Sequence, residues 1–192
     1  MKNLLLFWIL VSGLAQAQKP FSVLKKGKYA VGFRTYFEYD ATRPAIVEQT
    51  EKSKGRVMQL NVWYPAKNSK SKPLNFNEYV QLSGKEINPQ NLESQDPLAD
   101  YFDWTQKEGA NSDAIKQFKA SGLTMWASRE AVPAPANSPV VLLMHGKAAD
   151  FAFLGEFLAS HGFVVIHTPY KGYAQAELDV KLLGMDTQVA DY

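Results

Sequence analysis

Along this chain the spacing of hydrophobic positions changes twice, and each change predicts a different kind of element. Tyr29, Val31, Phe33, Tyr36, Phe37 and Tyr39 form an aromatic, β-rich segment, and Met58, Leu60, Val62 and Tyr64 alternate with their neighbours. Alternation of period two puts one set of side chains on one face of a strand. The two segments are therefore predicted to pair antiparallel, as a hairpin over residues 29–64. The polar connection 40–55 carries turn chemistry in Thr42-Arg43-Pro44 and Ser53-Lys54-Gly55, and Pro65 ends the second strand.

Residues 66–130 read as a helical excursion lying over the sheet. Residues 75–82 suit a short helix closed by Gly84, and residues 111–120 place Ala114, Ile115 and Phe118 at helical spacing with Gly122 as C-cap. Between them Asp96-Pro97, Asp100, Asp103 and Trp104 show no period. The approach Val132-Pro-Ala-Pro-Ala-Asn-Ser-Pro139 cannot be helical, because each proline lacks a donor and restricts its predecessor.

Then the pattern turns to unbroken apolar runs. Residues 140–144 are five apolar positions in a row, the pattern of a strand covered on both faces. Burial of such side chains contributes ~1.5–3 kcal/mol each, which predicts a central strand. Asp150 is placed to cap a helix with Phe153, Leu154, Phe157 and Leu158 inward, Gly162 closes it, and residues 163–166 form the next buried strand. A right-handed crossover makes the two strands of this 139–168 unit parallel. The fold class is α/β: an antiparallel hairpin followed by parallel strands with helices on their faces.

Composition narrows the setting. With 46% hydrophobic and 21% charged residues the chain can bury a single core, and a net charge of +2 gives no basic stripe for nucleic acid. Lys67, Lys70 and Lys72 sit in a polar turn, which reads either as a solvated loop or as an anion-binding patch. Residues 1–17 have the form of a signal peptide: Lys2 at the start, an apolar run from Leu4 to Leu14, and Ala15-Gln16-Ala17 as a small-x-small cleavage site. The run falls short of the ~20 residues of a comfortable span. Cleavage before Gln18 would leave residues 18–192 as one exported domain, periplasmic or extracellular, with no stable membrane span. An uncleaved anchor is the alternative, and the mature mass separates the two.

There is no cysteine, hence no disulfide staple and no thiol catalysis. His145, His161 and His167 lack the spacing that presents two metal ligands from one helix face, and no phosphate-binding glycine loop occurs. No cofactor or metal is expected.

The candidate chemistry lies at His145-Gly146-Lys147, at the carboxyl end of the first parallel strand, where open α/β sheets place their reactive crevices. A glycine turn there can aim the Lys147 N–H at an oxygen that becomes negative during acyl transfer, with His145 and Gly146 shaping the bend. Equally, Gly146 can simply exit a strand with His145 packed beside it. Ser160 closes a helix and precedes a strand, the wrong setting for a nucleophile. His161 suits a helix C-terminus, and His167 suits either a pocket wall or the core.

The strand, the His145-Gly146 turn, a helix ending Leu158-Ala-Ser-His-Gly162 and the strand Phe163-Val-Val-Ile-His-Thr-Pro169 together resemble the first half of an α/β-hydrolase. They are most similar to exported bacterial members near the dienelactone hydrolase and platelet-activating-factor acetylhydrolase branch. Val62-Trp-Tyr-Pro65 and Met185-Asp-Thr-Gln-Val-Ala-Asp191 resemble the early hairpin and the helix leading towards the nucleophile strand of those proteins. Relatives often follow His-Gly with another glycine, where Lys147-Ala148-Ala149 stands here.

The resemblance implies an incomplete α/β-hydrolase fold and a serine-type hydrolase of carboxylic esters or related acyl bonds. Its nucleophile elbow, acid and histidine base would follow in that order. None stands before Tyr192, so the expectation is an amino-terminal portion, inactive by itself, whose partner is a small ester or acyl substrate. A non-catalytic exported binding protein on a partial hydrolase scaffold is the competing expectation.

Overall fold

The computed structural model describes residues 24–43, 54–68, 70–85, 89, 97–121, 123–144 and 146–169. The predicted signal peptide, His145, the Gly122 cap and the segment 185–191 lie outside the described residues.

The fold is α/β, a mixed six-stranded sheet with four α-helices. Its strands are β1 (Ala30–Asp40), β2 (Arg56–Ala66), β3 (Pro73–Asn75), β4 (Thr124–Arg129), β5 (Val140–Leu143) and β6 (Val164–His167), in the order β3-β4-β1-β2-β6-β5. The helices are α1 (Phe76–Val80), α2 (Pro97–Lys107), α3 (Ser112–Ser121) and α4 (Ala148–Ser160), with a 3₁₀ turn at Gln81–Lys85.

The hairpin forms the spine. β1 and β2 pair antiparallel over their full length, from Ala30 opposite Ala66 to Asp40 opposite Arg56. At its loop end the Asp40 carboxylate accepts from the Thr42 amide at 2.9 Å and from Arg43 Nε at 2.5 Å, and Gly55 turns back with φ +81°. A side chain at Gly55 would stand 2.2 Å from the Asp40 carbonyl oxygen.

Alternation in β2 runs opposite to its hydrophobicity. Val57, Gln59, Asn61 and Trp63 are buried, while Met58, Leu60 and Val62 are half-buried. Polar residues go inward because partners await them. Asn61 Oδ1 accepts from Thr35 Oγ1 and from Gln59 Nε2, each at 3.2 Å, and Asn61 Nδ2 lies 3.3 Å from His167 Nδ1.

The middle region is more than a helical excursion, because it adds β3 and β4 to the sheet, β4 lying parallel to β1. It also holds α2, whose inward face is Leu98, Tyr101 and Phe102 at helical spacing. Pro97 is its first residue, where a missing N–H costs nothing, with Asp100 in the first turn and Lys107 in the last. Phe102 of α2 and Ile115 of α3 are buried, and Phe76 of α1 meets Phe118 of α3 edge-on at 4.9 Å.

β5 and β6 are parallel, Val140 opposite Val164 through Leu143 opposite His167. Among the described residues β5 is nevertheless an edge strand, not a central one. Val140 and Leu142 are 58% and 53% exposed, so one face of the run is bare.

Helix α4 is rotated relative to the expected face. Its buried residues are Ala148, Ala149, Ala152, Gly155, Glu156, Ala159 and Ser160, whereas Leu154 is exposed and Phe153, Phe157 and Leu158 are half-buried. The helix lies so close to the sheet that, Glu156 apart, its buried side chains are small, and the large apolar ones flank the contact.

Candidate functional site

β5 and β6 end together, Leu143 opposite His167, so residues 146–147 stand at the carboxyl rim of the parallel pair. Gly146 adopts φ +71°, a conformation open to glycine, and a Cβ there would lie 2.9 Å from Asp150 Oδ2 and 3.0 Å from the Phe151 ring. Lys147 is the N-cap of α4 in extended geometry.

Its amide is engaged. Lys147 N–H donates to Asp150 Oδ2 at 2.7 Å, and Asp150 N–H returns a bond to the Lys147 carbonyl at 3.0 Å. Asp150 is thus the third residue of the helix, reaching back to the cap, not the cap itself. Tyr101 of α2 donates its hydroxyl to Asp150 Oδ1 at 3.3 Å. Burial, and then the neighbouring Asp150 charge, push the Tyr101 phenol well above its ordinary pKa, so it remains a donor. The Lys147 amide therefore already serves a carboxylate, which would have to swing aside for another oxygen to replace it.

Below the rim lies a polar row that hydrophobic patterning gave no reason to expect. Thr35, Asn61 and His167 stand side by side on β1, β2 and β6, and Gln59 extends the row along β2. Gln59, Asn61 and His167 are essentially inaccessible, and Gln59 Oε1 is buried without a hydrogen-bond partner among the described residues. His167 sits 5.1 Å from the Phe151 ring and 6.4 Å from Trp63, centroid to centroid. It is a core residue beneath the turn. Its legible signal was position alone, the last residue of an apolar strand.

Ser160 and His161 are fully explained by packing. Ser160 Oγ donates to the Phe157 carbonyl at 2.7 Å and accepts from Gly27 N–H at 3.0 Å. His161 caps α4, its Nδ1 2.8 Å from the Phe157 carbonyl and its ring 4.3 Å from the Phe157 ring.

A second polar feature, also missed, is Glu156. It is wholly buried, accepts from the Tyr79 hydroxyl at 2.7 Å and from the Trp126 amide at 2.5 Å, and Tyr79 in turn accepts from Trp63 Nε1 at 3.1 Å. The signal for it was a lone acid in the otherwise uncharged stretch Phe151-Ala-Phe-Leu-Gly-Glu-Phe-Leu-Ala-Ser160.

An open cavity of about 350 Å³ lies on the sheet face opposite α4, lined by Arg34, Tyr36, Val62, Tyr64, Pro133 and Val164 among others. Arg34 lies over the Tyr64 ring at 5.4 Å and pairs with Glu130 at 2.7 Å. Ser138 and Val164 place this cavity at the amino-terminal end of β5 and β6, away from the Gly146 turn.

Among the described residues no three His, Asp or Glu side chains converge as a metal site, and no helix is long and apolar enough to cross a membrane.

Neither a protein-family model nor a curated protein matches the chain. Among solved structures it is similar to a ferulic acid esterase from Streptomyces cinnamoneus, with a TM-score of 0.47 and 20% identity over 78% of this chain. The chain spans 37% of that esterase's length.

Proposed function

We propose that this chain is the amino-terminal portion of an exported, serine-type α/β-hydrolase of carboxylic esters or related acyl bonds, working in the periplasm or outside the cell. The carrying observation is the β5–turn–α4–β6 unit, with its positive-φ glycine at the carboxyl rim of two parallel strands. The bare edge and face of β5 support the same reading, because further strands and helices of a larger sheet would cover Val140 and Leu142.

In this reading Lys147 N–H is the oxyanion donor and His145 and Gly146 shape its approach. Asp150 holds the donor between turnovers. A small ester or acyl compound is the partner, nucleic acid is not, and no cofactor enters. The 192 residues alone hydrolyse nothing, because nucleophile, acid and base are supplied elsewhere.

The test is to read the coding sequence beyond codon 192 and to assay p-nitrophenyl acetate hydrolysis by the chain with and without that extension. A strand-serine-helix elbow downstream, and activity only in the extended protein, is the expected result. An open frame continuing without such an elbow overturns it.

The cavity beside Arg34 favours a second reading, a non-catalytic exported binding protein on a partial hydrolase scaffold. Its mark would be a folded, monodisperse chain that binds a small molecule, loses that binding in Arg34→Ala, and shows no hydrolysis in any longer product.

A further inference from the structure

Glu156 is a fully buried carboxyl group that the functional reading leaves unused, and its surroundings are built. It projects from α4 into the seam between that helix, α1 and the sheet, with no exposed surface. One oxygen, Oε1, faces the Tyr79 hydroxyl of α1 at 2.7 Å, and the other, Oε2, faces the Trp126 amide of β4 at 2.5 Å. Behind Tyr79 stands Trp63 Nε1 of β2 at 3.1 Å, and the rings of Phe33, Trp63 and Tyr79 pack within 4.8–5.9 Å of one another. A single side chain therefore fastens a helix to another helix and to a strand backbone through an apolar enclosure.

We propose that Glu156 is a proton-operated latch: it holds α4, α1 and β4 together when its carboxyl is neutral and eases that seam when the carboxyl ionises. Both carboxyl oxygens accept from donors, Oε1 from the Tyr79 hydroxyl and Oε2 from the Trp126 amide, so it is burial in the apolar enclosure that opposes ionisation.

The groups facing the latch are few. On α1 there is Tyr79, whose phenol is pushed well above its ordinary value by burial and by the charge of Glu156. Lys26, over the Trp126 ring at 5.6 Å, and Arg129, at the end of β4 and paired with Glu78 at 3.3 Å, are the cations whose charges reach the pair. His167 on β6 borders the same Trp63. Against these, burial dominates. It raises the Glu156 carboxyl to about 7, although Tyr79, the amides of Trp126 and Ala127, and Lys26 all pull the other way.

The sign follows from linkage. The folded-state value lies above that of an unfolded glutamic acid, so the contribution to stability is complete below about pH 4.5 and is lost as pH rises through about 7. One proton held only by the folded state makes the folded-to-unfolded ratio fall up to ~10-fold per pH unit across that window, levelling above it.

The experiment is equilibrium unfolding of the full chain between pH 4.5 and 8.5, beside Glu156→Gln, with carbon-13 NMR titration of labelled glutamate carboxyls in the unaltered protein. The latch requires a falling slope between about pH 5 and 7 that Glu156→Gln flattens, and one glutamate carboxyl titrating near neutrality. Parallel slopes in the two proteins overturn it. If Glu156→Gln does not fold, the NMR titration decides: all glutamates titrating at ordinary carboxyl values sinks the proposal. Tyr79→Phe, which keeps the ring and removes the shared contact, should shift the titration midpoint of that carboxyl.

Discussion

Gly155 of α4 rests against the indole of Trp63 in β2, so closely that a Cβ built on it would stand 2.6 Å from Cδ2 of the ring. Neither partner yields easily. Trp63 is fully buried, hydrogen-bonded to Tyr79 and hemmed in by Phe33. Gly155→Ala should therefore destabilise the protein by ~1–3 kcal/mol through overpacking, despite alanine's better helix propensity. Leu154→Ala, one position away on the exposed side, should cost less than half of that. Denaturant unfolding of the two variants checks the contrast, and equal losses would mean that α4 does not ride on the sheet through its glycine.

The bare face of β5 should make the chain self-associate. Val140 and Leu142 are exposed beside a strand edge that is unpaired among the described residues, the arrangement that invites pairing with another chain. Leu142→Lys should lower the association seen by sedimentation velocity while changing unfolding stability by less than about 0.5 kcal/mol, as an exposed substitution does. Unchanged association would locate the contact elsewhere.

Removing the carboxylate that holds Lys147 N–H should expose that amide. Asp150→Ala is expected to cost ~0.5–1.5 kcal/mol from the lost bond at the helix start and the lost charge near its positive end. The amide proton of Lys147 should exchange faster and move upfield in NMR spectra. A Lys147 amide that stays protected would show that another group takes over from Asp150.

Asp40 should contribute to the acid side of the stability curve. Its bonds from the Thr42 hydroxyl and amide and from Arg43 lower its carboxyl to about 2, so its contribution is present above the ordinary aspartate value and is lost as pH falls from about 4 towards 2. Asp40→Asn should shrink the drop in unfolding midpoint over that range. An unaltered acid limb would show that the turn does not govern it.

How far the sequence could be read depended on whether the polar residues had partners. The β1–β2 hairpin was legible because alternation of period two survives in any environment. Which face of β2 turned inward was not, because Gln59 and Asn61 are inward only by virtue of Thr35 and His167, far away in sequence. β5 read as doubly covered because an unbroken apolar run looks the same at a sheet's edge as at its centre. Helix α2 was hard to read because its inward residues Leu98, Tyr101 and Phe102 are interleaved with Asp100, Asp103 and Trp104, which face solvent. At the rim the glycine turn could be anticipated from Gly146 alone. The occupation of Lys147 N–H by Asp150 could have been read from the three-residue spacing of a cap and its acid. Glu156 stood out only as an isolated charge, and nothing local distinguished a surface position from the seam it fills.

The start of β1 is stitched to the end of α4. Gly27 N–H donates to Ser160 Oγ, Tyr29 N–H donates to the Ser160 carbonyl, and any side chain at Gly27 would collide with that carbonyl at 2.1 Å. The earliest described stretch is thus secured by a residue made more than 130 positions later. During synthesis β1 can pair with β2 early, but its entry stays unfastened until residue 160 has left the ribosome, so the hairpin waits for α4 to lock its first residues and cover its inner face.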